Sequence, residues 1–262
     1  IVRVGGDGVV HDVALPGDTI PDTDARLVRF GLPVQNNLGD TIVLASLTSR
    51  TNNSALVFAP HGGGQSLMVR EGDLVDGIEN AIFTSFTIGV VNEAQDFAFI
   101  GKAIGHGVNS LNDDGLWYLG QSASDPGTGA PVLVAREGAQ ATGAPVGAKW
   151  KAFRSIALPD GSSGPIFLAD LVVPAPGRPN PAKVTASNDT GMWAVDSDGS
   201  LRLIVREGDI FPGTALRIRA ISILGNVAGS PAQTRSCNGH SELIYRATLS
   251  DGSEVIAKAR VP

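Results

Sequence analysis

The sequence predicts an all-β protein: a β-propeller of four blades, each of about four antiparallel strands, with the ring closed by the C-terminal strand. Three observations predict it. The 262 residues carry 33 Gly and 16 Pro spread along the chain, and 42% are hydrophobic. That balance is too apolar for disorder and suits many short strands with many turns. One charged word is written three times, at 67–73 (LMVREGD), 133–139 (LVAREGA) and 203–209 (LIVREGD). The segments around that word also recur, so one unit accounts for the whole chain, and repeats of this length mark propellers and solenoids.

The opening of the chain is a fourth copy. Residues 1–18 align without a gap on residues 192–209, with Asp7-Gly8 on Asp198-Gly199 and Gly17-Asp18 on Gly208-Asp209. Leu15-Pro16 there replaces Arg-Glu. Each copy holds four apolar stretches rich in β-branched and aromatic residues and bounded by Gly, Asp, Asn and Pro, which read as strands. The first is IVRV (1–4), ALVFA (55–59), GLWYL (115–119) or GMWAV (191–195), and the second ends in Arg-Glu-Gly. The third is LVRF (27–30), IFTSF (82–86), WKAF (150–153) or LRIRAI (216–221). The fourth is IVLASL (42–47), FAFIGKA (97–103), PIFLADL (165–171) or ELIYRATL (242–249). The expected repeats are 1–53, 54–113, 114–189 and 190–253 within a single domain of residues 1–262. The last stretch, 254–262, reads as a fifth copy of the first strand that pairs with the first unit.

A motif that occurs three times argues for architecture. In Arg70-Glu71-Gly72, Arg136-Glu137-Gly138 and Arg206-Glu207-Gly208, the adjacent Arg and Glu point to opposite faces of a strand end. Both are expected to reach water or a neighbouring unit, while Gly bends the chain and a following Asp caps the bend. The fourth strand has its own lead-in: Asn36, Asn92, Asp160 and Asn238 each stand six residues ahead of its core, and such side chains bond to backbone two residues on and tolerate tight turns. A second Asn recurs before the first strand, at Asn52, Asn112 and Asn188, where it is expected to close the turn that begins the next unit. Trp117 and Trp193 hold equivalent positions and are expected to pack in the core.

Composition excludes some functions. The net charge of −6 leaves no basic footprint for nucleic acid. No apolar run reaches the ~18 residues that would span a bilayer. The lone Cys237 cannot form an internal disulfide, and it is expected to be a small, partly buried residue. No signal peptide is visible, but the chain begins at Ile1 rather than Met, which leaves open a leader that was cut or left out of the numbering.

The pairing of an Asn-x-x-Gly-x-x-Ala-Phe pattern with GMWAVDSDGSLRLIVREGD (191–209) resembles a bacterial tandem-repeat family named for the NxxGxxAF repeat. The resemblance spans the chain, with the best match at 188–209. It implies a secreted or surface-anchored protein of choice-of-anchor type and carries over no catalytic residue.

Sharper motifs have plainer readings. HGGG (61–64) spells an oxyanion-hole motif, but the Gly-x-Ser-x-Gly elbow it needs is missing, so a hairpin loop is expected. SLNDDGLW (110–117) and SNDTGMW (187–193) are similar to Asp-box turns of sialidase propellers, with the spacing off by one. DSDGS (196–200), NDDG (112–115) and GDG (6–8) offer carboxylates of the kind calcium uses, yet Asp-Gly is also the commonest hairpin turn, and the turn is the preferred reading. No cofactor is expected; an ion, calcium or another, in these turns or in a central tunnel stays the alternative. His11, His61, His106 and His240 share no metal-ligand spacing. Trp150, between Lys149 and Lys151, is the one weak ligand candidate, a ring that would stack on a sugar if exposed.

The functional expectation is a non-enzymatic binding or scaffold module, exported and placed at the bacterial cell surface, in the periplasm, or in an extracellular or membrane-associated assembly. Its partner would be another protein or surface component held by the rim loops 172–183 and 225–237. The alternative is a carbohydrate-binding or carbohydrate-active propeller, a lectin or glycoside hydrolase.

Overall fold

The fold was obtained as a computed structural model, which describes all residues except 5–7, 9, 22, 24, 121–129, 162, 224–237, 239–241 and 262. The described residues form strands and turns with no helix. A small two-stranded sheet pairs β1 (Val2–Val4) with β2 (Val10–Asp12). Four larger antiparallel sheets follow. The first runs β3 (Leu27–Phe30), β5 (Thr41–Leu47), β6 (Ser54–Ala59), β7 (Ser66–Arg70), with the short β4 (Val34–Gln35) also on β5. The second is β8 (Ala81–Val91), β9 (Phe97–Gly105), β10 (Asp114–Leu119), β11 (Val132–Arg136). The third is β12 (Trp150–Ala157), β13 (Ile166–Leu171), β14 (Thr190–Val195), β15 (Leu201–Arg206). The fourth holds β16 (Ile218–Ser222), β17 (Glu242–Leu249) and β18 (Glu254–Arg260).

The sheets are out of phase with the sequence repeat by half a unit. The first three each join the third and fourth strands of one copy to the first and second strands of the next, and the fourth joins β16 and β17 to β18 alone, so the repeat boundaries read from sequence are not the sheet boundaries. The cause is local. The link from fourth to first strand is short enough for the two to pair as a hairpin, Thr41↔Ala59 through Ser46↔Ser54, closed by the Leu47 N–H on Asn53 O at 2.8 Å. The chain leaves a sheet only after Arg-Glu-Gly. The same logic corrects the closing strand: β18 pairs with β17, Glu242↔Arg260 through Thr248↔Glu254, and not with β1. It takes in its sheet the place of β6, β10 and β14 in theirs, because β17 is followed by a tight Asp251-Gly252 turn, with the Gly252 N–H on Leu249 O at 2.9 Å.

The chain divides into two compact units, one mainly Ile1–Asn109 and Trp117–Leu133, the other mainly Ser110–Leu116, Val134–Gly225 and Thr234–Pro262. In the first, one core cluster gathers Ile42, Leu56, Phe58, Phe83, Phe97, Phe99 and Trp117, and a second gathers Ile20, Leu27, Val43, Leu47 and Val57. In the second unit Ile166, Met192, Ile218, Leu243 and Leu249 form the corresponding core.

An aromatic quartet is built twice from equivalent positions. Trp117 stacks on Phe99 (5.7 Å, 15°) and meets Phe83 edge-on (4.9 Å, 73°), with Phe86 beside them. Trp193 stacks on Phe167 (6.0 Å, 16°) and meets Trp150 edge-on (6.0 Å, 73°), with Phe153 beside them. Trp117 and Trp193 are fully buried, as expected. Trp150 is 3% exposed, so its ring is not offered to a sugar; the sequence neighbours Lys149 and Lys151 mark only the alternation of a strand whose Trp side faces inward.

Candidate functional site

The Arg-Glu-Gly segments are turn fixtures. In every copy a β-turn closes there: Asp18, Asp73, Ala139 and Asp209 donate their N–H to the carbonyls of Leu15, Arg70, Arg136 and Arg206. Where the last residue is Asp its carboxylate caps the same turn, accepting from Leu15, Arg70 and Arg206 N–H at 2.9, 2.7 and 2.9 Å. The glycine N–H then reaches the next sheet: Gly17 to Leu27 O, Gly72 to Phe83 O, Gly138 to Trp150 O and Gly208 to Ile218 O, all at 2.8 to 2.9 Å. Two residues on, single β-bridges Thr19↔Arg26, Leu74↔Ile82, Gln140↔Lys149 and Ile210↔Arg217 repeat the contact.

The glutamates bond to backbone, Glu71 and Glu137 partly exposed and Glu207 buried. Glu71 accepts the Asn53 N–H at 2.9 Å, Glu137 the Asp114 N–H at 3.5 Å, and Glu207, 8% exposed, bonds to Thr190. Each carboxylate thereby caps the start of the neighbouring first strand, to which its own backbone N–H is also bonded. The arginines are half-buried; Arg136 Nε donates to Asn112 O at 2.8 Å, and Arg70 Nε, Arg136 Nη2 and Arg206 Nη1 are buried without a hydrogen-bond partner among the described residues. The second asparagine sits against the glycine: a Cβ on Gly72 would stand 2.3–2.6 Å from the Asn52 side chain, and one on Gly208 2.9 Å from Asn188 Cβ.

The lead-in asparagines clasp further than expected, four residues on rather than two. Asn36 Oδ1 accepts from Asp40 N–H and its Nδ2 donates to Asp40 Oδ2, both at 2.9 Å. Asn92 holds Asp96 in the same way (2.8 and 2.9 Å), and Asn238 holds Glu242 (3.1 and 3.0 Å). Copy three has Asp160 four residues before Gly164, which has no side chain to clasp. Gly39 (φ 93°) and Gln95 (φ 63°) take the same left-handed turn.

In the first unit these clasps merge into one buried polar chain that sequence reasoning missed. Asn36 Nδ2 donates to Asn92 O at 2.8 Å, Gln95 Nε2 to Asp40 Oδ2 at 3.2 Å, and His61 meets Asp40 Oδ1 through both its backbone N–H (2.8 Å) and ring Nδ1 (2.9 Å). At the other end Tyr118 bonds to Asp96, and burial first, then the Asp96 charge, pushes its phenol up to about 12. Burial opposes the charge on Asp40, but hydrogen bonds from His61, Asn36 and Gln95 outweigh it and hold the carboxyl below 3.8. The ionised carboxylate only accepts, so His61 Nδ1 carries the proton. The signal in the sequence was a carboxylate four residues after Asn in three copies; the partner His61 is distant in sequence and had none.

This chain yields a graded test. Asn36→Ala strips bonds from Asp40 and the Asn92 carbonyl, both buried, and is expected to cost about 3 kcal/mol, since each orphaned buried group costs about 1–3 kcal/mol. Asn238→Ala cuts the same clasp at an exposed site and is expected to cost under about 1 kcal/mol. Urea midpoints for the two variants check the order.

The acids divide by role. In DSDGS, Asp196 accepts from Asp198 and Ser200 N–H at 3.2 and 2.9 Å and pairs with Arg202, so that carboxylate is spent on its own hairpin. NDDG is not a hairpin turn: Asp114 begins β10, and Asp113, Asp114 and Glu137 bring one oxygen each to within 4.8 Å of one another. These three are the described residues with the spacing to share a metal ion. Burial, then the charges of Asp114 and Asp113, raise Glu137 above its ordinary 4.5; burial and Asp189 raise Glu207.

The signs give a pH profile. A carboxyl raised in the fold adds stability below its unfolded pKa and loses it as pH climbs through the folded value; Asp40, lowered, adds stability above 3.8 and loses it on acidification. Thermal stability is therefore expected to rise as the pH falls towards 4.5 and to drop again on acidification below 3.8. Melting curves across that range check it, and a steady fall from neutrality would contradict the assignment.

Two loops carry no repeat. In 172–183 the Pro-rich insertion is pinned at its end, where Asn180 brackets Val184 with bonds of 2.7 and 2.9 Å and Ala182 and Val184 are buried. The second expected partner loop, 225–237, and with it Cys237 and His240, lies outside the described residues, apart from the notch at Asn238. The HGGG segment is the β6–β7 hairpin, as expected. It borders a cleft of about 350 Å³ lined by Asp12, Asp18, Thr19, Pro60, His61 and Gln65 among others.

Fold and site together define a repeat-built antiparallel β protein whose recurring polar residues shape its turns. The chain belongs to a family whose model, described as Family of unknown function (DUF7453), matches residues 1–261. No curated protein matches the chain.

Proposed function

We propose that this chain is a four-bladed β-propeller serving as a non-enzymatic binding or scaffold module, exported by a bacterium to its surface, its periplasm or an extracellular assembly. The proposal includes membership of the NxxGxxAF tandem-repeat proteins. The observation that carries it is the use of the repeated polar groups. Arg-Glu-Gly and the Asn clasps bind their own backbone, which supports an architectural role for every recurring motif and leaves specificity to the segments that do not recur. The glycine link from each second strand to the next third strand favours successive blades. Among the described residues no helix is long and apolar enough to cross a membrane.

The test is capture from a bacterial envelope fraction by the immobilised chain, with a variant in which 172–183 is replaced by a short Gly-Ser loop. A stoichiometric protein partner retained by the wild type and lost by the variant is the expected result. Hits on a glycan array without any protein partner would overturn it in favour of a lectin.

A further inference from the structure

We propose that the cleft beside the β6–β7 hairpin receives a basic side chain, arginine above all, presented by a partner peptide. This deepens the binding-module reading and rests on it for the nature of the partner. The cleft lies wholly in the first unit, and its volume of about 350 Å³ is within the range of small-ligand sites. Two carboxylates, Asp12 and Asp18, line it, and among the described lining residues there is neither Lys nor Arg. Arg26, bridged to the lining residue Thr19, donates to Gly17 O at 3.0 Å.

The carboxylates sit on different elements. Asp12 ends β2, while Asp18 is fixed by the Leu15 N–H at 2.9 Å and by Gln65 Nε2 at 3.2 Å. Gln65 in turn bonds to Val13 O at 3.0 Å, so the hairpin and the Asp18 turn form one wall. His61 also lines the cleft, its backbone and ring held by the buried Asp40. Val13, Pro21, Ala59 and Pro60 add apolar surface of the kind that packs an aliphatic stem.

Ligand number argues against a metal ion: the described residues that bring three ligand atoms within 4.8 Å of one another are Asp113, Asp114 and Glu137, none of them in the cleft. Two carboxylates on different elements, with apolar surface beside them, suit a guanidinium, which spreads five donors in a planar fork behind a flexible stem.

The experiment is an NMR titration of the whole chain with agmatine, with cadaverine, with Nα-acetyl-arginine amide and with its neutral isostere Nα-acetyl-citrulline amide. Arginine amide and agmatine are expected to shift the amides of Gly63, Gly64 and Gln65 with a dissociation constant on the order of 1 mM. Citrulline is expected to bind at least about tenfold more weakly. Asp12→Asn is expected to weaken arginine binding several-fold, and Asp12→Asn with Asp18→Asn to abolish it. Asp18→Asn keeps a carbonyl oxygen for the Leu15 N–H, and unchanged melting shows the turn intact. Equal binding of citrulline, tighter binding of calcium or of a methyl glycoside at the same amides, or no shift with agmatine would overturn the proposal. Failure with agmatine while an envelope partner is still captured rejects the cleft alone. Agmatine binding without any captured partner rejects the module reading alone.

Discussion

Trp193→Ala is expected to be the most damaging single substitution in the second unit, at about 5 kcal/mol. Truncating a fully buried Trp costs about 3–5 kcal/mol from lost transfer energy and the cavity left behind. Trp193 also donates Nε1–H to Thr142 O at 2.7 Å, and its removal leaves that carbonyl short of a partner at about 1–3 kcal/mol. Trp117 supplies the control. It occupies the equivalent place, is equally buried, and its Nε1 has no hydrogen-bond partner among the described residues. Trp117→Phe is therefore expected to cost about 1 kcal/mol less than Trp193→Phe. Denaturant midpoints decide the matter, and equal losses for the two Phe variants would show that the Thr142 bond contributes nothing.

Gly208→Ala is expected to cost about 3 kcal/mol, and Gly17→Ala about 1–2 kcal/mol. Both glycines occupy the left-handed region, at φ 86° and 98°, which costs an L-residue about 1–2 kcal/mol. They differ in surroundings. A Cβ on Gly17 meets nothing within 4 Å, whereas one on Gly208 meets Asn188 Cβ at 2.9 Å, a contact too short to relax without moving a strand start. Gly72 tests the separation of the two causes. Its Cβ would strike the Asn52 side chain, so adding Asn52→Gly, which removes that side chain and tolerates the φ of 58° there, to Gly72→Ala should recover the steric part and leave the backbone part. Full recovery in the double variant would mean that φ is not strained.

Four copies of a strand pattern were legible because periodicity and turn residues are local. The Arg-Glu-Gly-Asp turn, its Asp cap and the inward-facing Trp117 and Trp193 follow from spacing alone. Trp150 was misread because a single Trp between lysines has no local sign of depth; its burial depends on Trp193, 43 positions away in the chain, being there to pack against. The backbone partner of each motif Glu was not legible for the same reason, since that N–H lies at the start of another strand.

From its own text the chain specifies antiparallel strands and the chemistry of each bend, because those depend on neighbours a few residues apart. Which strands share a sheet, that β18 lies on β17, and that His61, Asp40, Asn36 and Tyr118 join one buried polar chain were decided by tertiary packing. Pairing across long stretches of chain is selected by how whole faces fit and by which polar groups burial leaves in need of a partner, and neither property is written at any one position.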